Sequence, residues 1–276
     1  MQDFRILALG GGGTKGFLEI GALEELEERV GPLHEHFTEG IYGCSIGSII
    51  GTAVAFGVPI AKIRELFKQF PMSELFKIDM NVDDILTKKG IFGMSVLETK
   101  VSALFQSVGI PIETKVLGDA LVPLKIQASN ITKGIPVIFQ KNVPVLKAIL
   151  ASCCIPFVFR PQQINDSLYV DGGFLTNLLM TVIPEAEQKR TLSFSIVHSD
   201  PYITPSKLKK MNLVDYMYKL YKISCLYERK KIPVPNNLDL YYDKGNGLTT
   251  WTSAEQDEMI LAGRTLTRNF LTERGY

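Results

Sequence analysis

The sequence predicts an α/β fold of three layers, α/β/α, with a mostly parallel central sheet and a helical insertion at roughly residues 58–110. Short apolar runs bounded by glycine alternate with segments whose apolar residues recur at helical spacing, as strands joined by crossover helices do. Strands alternating with helices imply a mostly parallel sheet covered on both faces. At 276 residues and 46% hydrophobic content the chain is large and apolar enough to close one core, so a single domain over 1–276 is expected.

Phe4 to Leu9 is a short apolar run ending in Gly10 and reads as a buried strand. Gly16 to Val30 is helical: Phe17, Ile20, Leu23, Leu26 and Val30 share one face, and Gly31 supplies the stop. Gly40 to Gly43 makes the second strand, and Ser45 to Phe56 a helix of small residues suited to lying close on a sheet. Pro59 opens a further helix, with Ile60, Ile63, Leu66, Phe67 and Phe70 at helical spacing. Residues 71–93 have no regular pattern. Ser95 and Glu98 predict a capping box for an amphipathic helix through Leu97, Val101, Leu104, Phe105 and Val108. Leu124 to Ser129 and Ile135 to Phe139 flank Thr132-Lys133-Gly134 as a hairpin. Val145 to Ala151 is a short helix, and Leu168 to Val170 a strand that delivers Asp171-Gly172-Gly173. Leu192 to Val197 and Leu238 to Tyr242 are further strands, and Thr252 with Glu255 caps a final helix running to about Leu271.

Thirty basic residues against 29 acidic ones leave almost no net charge, so nothing global argues for nucleic acid. The longest apolar stretch, Ile46 to Ile60, is too short to span a bilayer and contains three glycines and a proline. The first residues run straight into a strand, with no secretory signal visible. Cys44, Cys153, Cys154 and Cys225 form no C-x-x-C pair, which predicts reduced thiols in a cytoplasmic setting rather than a disulfide framework or zinc site. His34 and His36 lack a third ligand, and no metal or cofactor is expected.

Two motifs carry chemistry. Gly43-Cys44-Ser45-Ile46-Gly47 is the sequence of a nucleophile elbow, a strained strand-to-helix turn that lifts a serine hydroxyl above a sheet. About 30 residues upstream, the glycine run Gly10 to Gly16 opens a helix and offers bare backbone N–H groups, the donors an oxyanion hole needs. Each is weak alone; together they point to acyl transfer. A serine needs a base. Ser45, Asp171 and His198 stand in the order of an α/β-hydrolase triad. Asp171 by itself, at a strand end before two glycines, could act directly if partly desolvated. Gly11 to Gly16 also fits the dinucleotide fingerprint G-x-G-x-x-G. That fingerprint expects an acidic residue at the end of the next strand, where Gly43-Cys44-Ser45 stands; Glu39 precedes the strand.

These motifs, in this order, resemble those of patatin-like phospholipases. Gly11-Gly12-Gly13-Thr14-Lys15-Gly16, Gly43-Cys44-Ser45-Ile46-Gly47 and Asp171-Gly172-Gly173 match. So do Ala151-Ser152 with Pro156, Phe159 and Pro161, Ser129-Asn130 with Gly134 before them, and Asn177 after the D-G-G. Gly10 stands where the family often has Asp or Ser, and Leu179 where a proline is common. The resemblance covers about residues 4–180. It implies a patatin-like fold and a lipid acyl hydrolase of glycerophospholipids or lysophospholipids, with Ser45 as nucleophile, Asp171 as base and no catalytic histidine. Gly11, Gly12 and Gly13 would form the oxyanion hole, and Lys15 holds a position usually Arg or Lys. A cation at a helix N-terminus is unfavourably placed unless an anion is near, so a lipid phosphate is its expected partner. Ser–Asp–His esterase and dinucleotide binding remain the alternatives.

Residues 200–276 carry no family signature and are expected to pack on the motif-bearing part or contact a membrane. Between 206 and 231, Lys207, Lys209, Lys210, Lys219, Lys222, Arg229, Lys230 and Lys231 interleave with leucines, methionines and tyrosines. The pattern suits either an interfacial helix on anionic lipid or a helix packed on the sheet with its lysines solvated. The expected partner is a phospholipid or membrane surface, met peripherally; whether a protein activator is needed is open.

Overall fold

The computed structural model describes residues 1, 3–70, 90–197, 202–229, 234 and 236–276. Among the described residues, eight strands form one sheet: β1 (Ile6–Leu9), β2 (Gly40–Cys44), β3 (Leu124–Asn130), β4 (Ile135–Phe139), β5 (Gln162–Ile164), β6 (Ser167–Asp171), β7 (Thr191–Val197) and β8 (Asn237–Tyr241). Their order is β5-β6-β3-β2-β1-β7-β8, with β4 on the second edge of β3. The five strands β3-β2-β1-β7-β8 are parallel, and β4, β5 and β6 join antiparallel. The sheet is therefore mostly parallel, with the β3–β4 hairpin as expected, whereas periodicity does not reveal the antiparallel entry of β5 and β6.

Helices α1 (Phe17–Val30), α2 (Ile46–Ala55), α3 (Ile60–Gln69), α4 (Ser95–Gln106), α5 (Val145–Ser152), α6 (Leu213–Arg229) and α7 (Ser253–Thr272) accompany the strands. Alternation along the buried strands sends residues to two layers. Leu7, Leu9, Ile41, Leu192 and Phe194 enter the large core shared with α1 and α2. Ile6, Ala8, Tyr42 and Cys44 face a thinner layer made by Leu178, Leu179, Met180 and Ile183. Leu179, in the family's usual proline position, opens a 3-10 turn under that face.

Gly31 ends α1 at φ 77°. The capping box of Thr252 and Glu255 forms, each side chain bonding the other's backbone N–H. The one at Ser95 does not: Met94 is the N-cap, its carbonyl takes the Glu98 N–H at 2.8 Å, and Ser95 lies inside the helix. α3 and α4 occupy the expected insertion; the irregular stretch 71–89 lies outside the described residues. So do His198, Lys230 and Lys231. No helix among the described residues is long and apolar enough to cross a membrane.

Candidate active site

Register brings the two principal residues together. β3 pairs with β2 and then β6 along one edge: Gln127 faces Cys44 and Ala128 faces Asp171. The ends of two strands more than 120 residues apart in sequence thus become neighbours, one leading into Ser45 and the other terminating in Asp171.

Ser45 has φ 51° and ψ −125°, a conformation that L-residues seldom adopt. The turn holds because its surroundings fit no other chain path. A Cβ on Gly47 would lie 2.3 Å from the Leu9 carbonyl oxygen, so only glycine lets α2 start this close to β1. The Ser45 N–H donates to the Ser152 hydroxyl at 2.8 Å, tying the elbow to the end of α5. Ser45 lies beside the Asp171 carboxylate, and its hydroxyl favours the ionised form.

Asp171 is 2% exposed. Its Oδ1 accepts the Gly173 N–H at 2.9 Å and the Tyr221 hydroxyl at 3.0 Å. Burial pushes the carboxyl above the ordinary carboxylate range, opposed by Ser45, Gly173, Tyr221 and the Lys222 ammonium. A carboxylate so placed is a stronger base than one in water.

The glycine loop lies beside Ser45. A Cβ on Gly11 would be 3.1 Å from the Ser45 Cβ. Gly13 follows at φ 60° and leads into the turn Gly13–Gly16 before α1. Among the described residues the N–H groups of Gly11 and Gly12 have no protein acceptor, whereas that of Gly10 is spent on the Phe194 carbonyl. The loop is clamped from the C-terminal part of the chain. Thr14 donates its N–H to Gly247 at 2.8 Å and its hydroxyl to the Thr249 carbonyl, and Trp251 Nε1 donates to that hydroxyl at 2.9 Å.

Lys15, expected beside a phosphate, is 1% exposed and does not line the cavity at Ser45. Its Nζ donates to the Tyr242 carbonyl at 2.7 Å, near the rings of Tyr242 and Trp251. Burial pulls its pKa down to about 8, Asp243 opposing and Lys222 adding. Asn177 turns its Oδ1 toward Gly11 and Gly173, where it has no donor among the described residues. Glu39 sits before β2, at the end of the parallel strands away from the glycine loop, and is paired with Arg190 at 2.6 Å. It is out of reach of the place a dinucleotide ribose would occupy. His34 stands 3.9 Å from Glu35, and no group of three or more metal-ligating side chains occurs among the described residues.

An apolar cavity opens at Ser45, walled by Ile46, Ile49, Leu97, Ile155, Phe159 and Leu248. Leu97 comes from α4. Its neighbour α3 packs inward, with Ile60, Ile63 and Phe67 buried and Phe67 set edge-on against Phe17. The described part of the segment 206–231 has a buried side and an exposed side. Tyr218, Tyr221 and Lys222 of α6 point inward and are buried, whereas Leu208, Lys209, Lys210, Leu213 and Leu220 are exposed.

A model of the patatin-like phospholipase family matches residues 7–182, a segment that contains the glycine loop, the elbow and Asp171. The chain belongs to the patatin-like phospholipase family. An uncharacterised protein of Acanthamoeba polyphaga mimivirus is 26% identical over 227 residues, covering 79% of this chain and 75% of its own. A cUMP-AMP-activated phospholipase of Escherichia coli is 27% identical over 196 residues, 63% of this chain and 55% of that one. The patatin-like chain thus spans about half the length of the bacterial relative. The crystal structure of VipD from Legionella pneumophila superposes with a TM-score of 0.65 over 98% of this chain and 67% of that one, at 16% identity, a likeness of fold. Tyr221 and the clamp at Gly247–Trp251 lie beyond the matched segment, and no local pattern in the sequence signals them.

Proposed function

We propose that this patatin-like protein hydrolyses fatty acyl esters of glycerophospholipids or lysophospholipids through a Ser45–Asp171 dyad. The observation that carries the reading is that Ser45, on a positive-φ elbow, and the buried Asp171 carboxylate are brought together by the β2–β3–β6 register. Asp171 takes the hydroxyl proton as Ser45 attacks the acyl carbonyl. The N–H groups of Gly11, Gly12 and Gly13 receive the developing oxyanion at the entrance to α1, where the helix dipole adds to the attraction. The C–O bond to the lysolipid or alcohol breaks, the leaving oxygen takes the proton back, and an acyl-Ser45 ester remains. Asp171 then activates water to release the fatty acid. The apolar walls of Ile49, Leu97, Ile155 and Phe159 suit an acyl chain. Lys15 serves the site indirectly, by fixing the glycine loop to Tyr242. The exposed leucines and lysines at 208–220 present the protein to a lipid surface, so that the enzyme works peripherally on membranes.

Release of fatty acid from phosphatidylglycerol and lysophosphatidylcholine, compared between wild type and Ser45→Ala, tests the reading. Activity that survives in Ser45→Ala contradicts it.

A further inference from the structure

Asp171 Oδ1 receives two donors from distant parts of the chain, the Gly173 N–H at 2.9 Å and the Tyr221 hydroxyl at 3.0 Å. The first is local to the D-G-G turn. The second comes from α6, 50 residues on and outside the segment matched by the family model. Tyr221 is buried, and its ring stacks on Phe174 with centroids 6.4 Å apart and planes at 27°. Lys222 is buried beside it, its Nζ 5.5 Å from the centre of the Tyr221 ring.

We propose that Tyr221 is a positioning residue for the base: its hydroxyl holds Asp171 Oδ1, fixes the carboxyl plane, and leaves Oδ2 to take the Ser45 proton. The proposal rests on the dyad reading of the site. Two donors on one oxygen draw negative charge onto it and fix the side-chain torsion, so the proton-accepting oxygen is defined by geometry. A phenol donor also stabilises the ionised form, offsetting part of the burial that raises the carboxyl's proton affinity. Tyr221 therefore governs both how the base is aimed and the pH above which it is ionised.

The other groups facing Asp171 do not supply this. Ser45 is the proton donor of the reaction. Cys153 and Cys154, which follow α5, are thiols that burial keeps protonated and uncharged. Cys44 of β2 packs beside Gly172. Lys222 acts on the carboxylate only through space.

The test is the pH dependence of kcat/KM on a soluble 4-nitrophenyl acyl ester, for folded variants verified by far-UV circular dichroism. Tyr221→Phe keeps the ring and its stack but removes the donor. Its acid limb is expected to move up by about one pH unit, with kcat on the plateau down about tenfold and KM within about twofold. Site-specific 3-fluorotyrosine at 221 preserves the shape and makes the phenol a stronger donor, so its limb is expected to move down. Phe174→Leu, which disturbs the stack and not the donor, is expected to leave the limb in place. An acid limb unmoved in Tyr221→Phe and in the fluorotyrosine enzyme overturns the proposal while Asp171→Asn remains inactive. An Asp171→Asn enzyme as active as wild type overturns the dyad reading itself.

Discussion

The Ser45 backbone N–H donates to the Ser152 hydroxyl at 2.8 Å, so the strained turn at Ser45 is held by a residue 107 positions away. Both groups are buried, and removing the acceptor strands a donor in the protein interior. Ser152→Ala is expected to cost about 1–3 kcal/mol of stability. It should also slow acylation of Ser45, because the elbow is free to relax toward an ordinary backbone conformation. Chemical denaturation together with the rate of fluorophosphonate labelling checks both; wild-type values in each would show that the bond does not hold the turn.

Gly11 faces the nucleophile so closely that an added Cβ would lie 3.1 Å from the Ser45 Cβ. Gly11→Ala is expected to fold, since one methyl group at a loop asks for a shift of a few tenths of an ångström. Its kcat should fall by roughly 100-fold, the scale of a lost oxyanion donor, with KM little changed. Steady-state kinetics on a soluble ester decides it.

Glu19 of α1 is wholly buried, and neither carboxyl oxygen has a well-formed hydrogen bond among the described residues. Burial pushes its pKa well above the ordinary range, so it is held neutral. A folded-state pKa above the unfolded one means the folded protein binds the extra proton. The associated stability is complete below the unfolded pKa and is lost as pH rises toward the folded one. Glu19→Gln should therefore raise Tm at pH 8 and gain less at pH 5, by an amount on the order of 3 °C per kcal/mol recovered. Equal shifts at the two pH values would contradict a neutral Glu19.

Leu208, Leu213 and Leu220 are exposed beside the exposed Lys209 and Lys210, on the outer side of the helical segment whose inner side reaches Asp171. Lys209→Glu with Lys210→Glu is expected to weaken sedimentation with phosphatidylglycerol vesicles by about thirtyfold or more, each lysine near such a surface being worth about 1 kcal/mol. Hydrolysis of a soluble ester should be unaffected. Undiminished vesicle binding would remove this surface from the account.

Much of the architecture was written in local pattern. The helix from Phe17 to Val30 follows from an apolar stripe and a glycine stop, and the hairpin from two β-rich runs around Gly134. The elbow and the glycine run were equally plain, because each depends on residues adjacent in sequence. The antiparallel entry of β6 beside β3 was not legible: what Asp171 pairs with is decided by a strand more than 40 residues away. Lys15 shows the same limit. A local rule assigns an anion to a cation at a helix start, and the structure supplies a carbonyl from Tyr242, 227 residues on. Tyr221 belonged to a stretch whose lysines and tyrosines suit a membrane face, and only the fold turns it toward the base. At Ser95 the capping pattern was present, yet the helix begins one residue earlier on the Met94 carbonyl.

The account stands on Ser45 acting with Asp171 and without histidine. Labelling with a fluorophosphonate probe, followed by peptide mapping, tests this most directly in wild type, Ser45→Ala, Asp171→Asn and His198→Ala. One adduct is expected, on Ser45, absent in Ser45→Ala, strongly reduced in Asp171→Asn and undiminished in His198→Ala. An adduct that persists in Ser45→Ala, or is lost in His198→Ala, would contradict it.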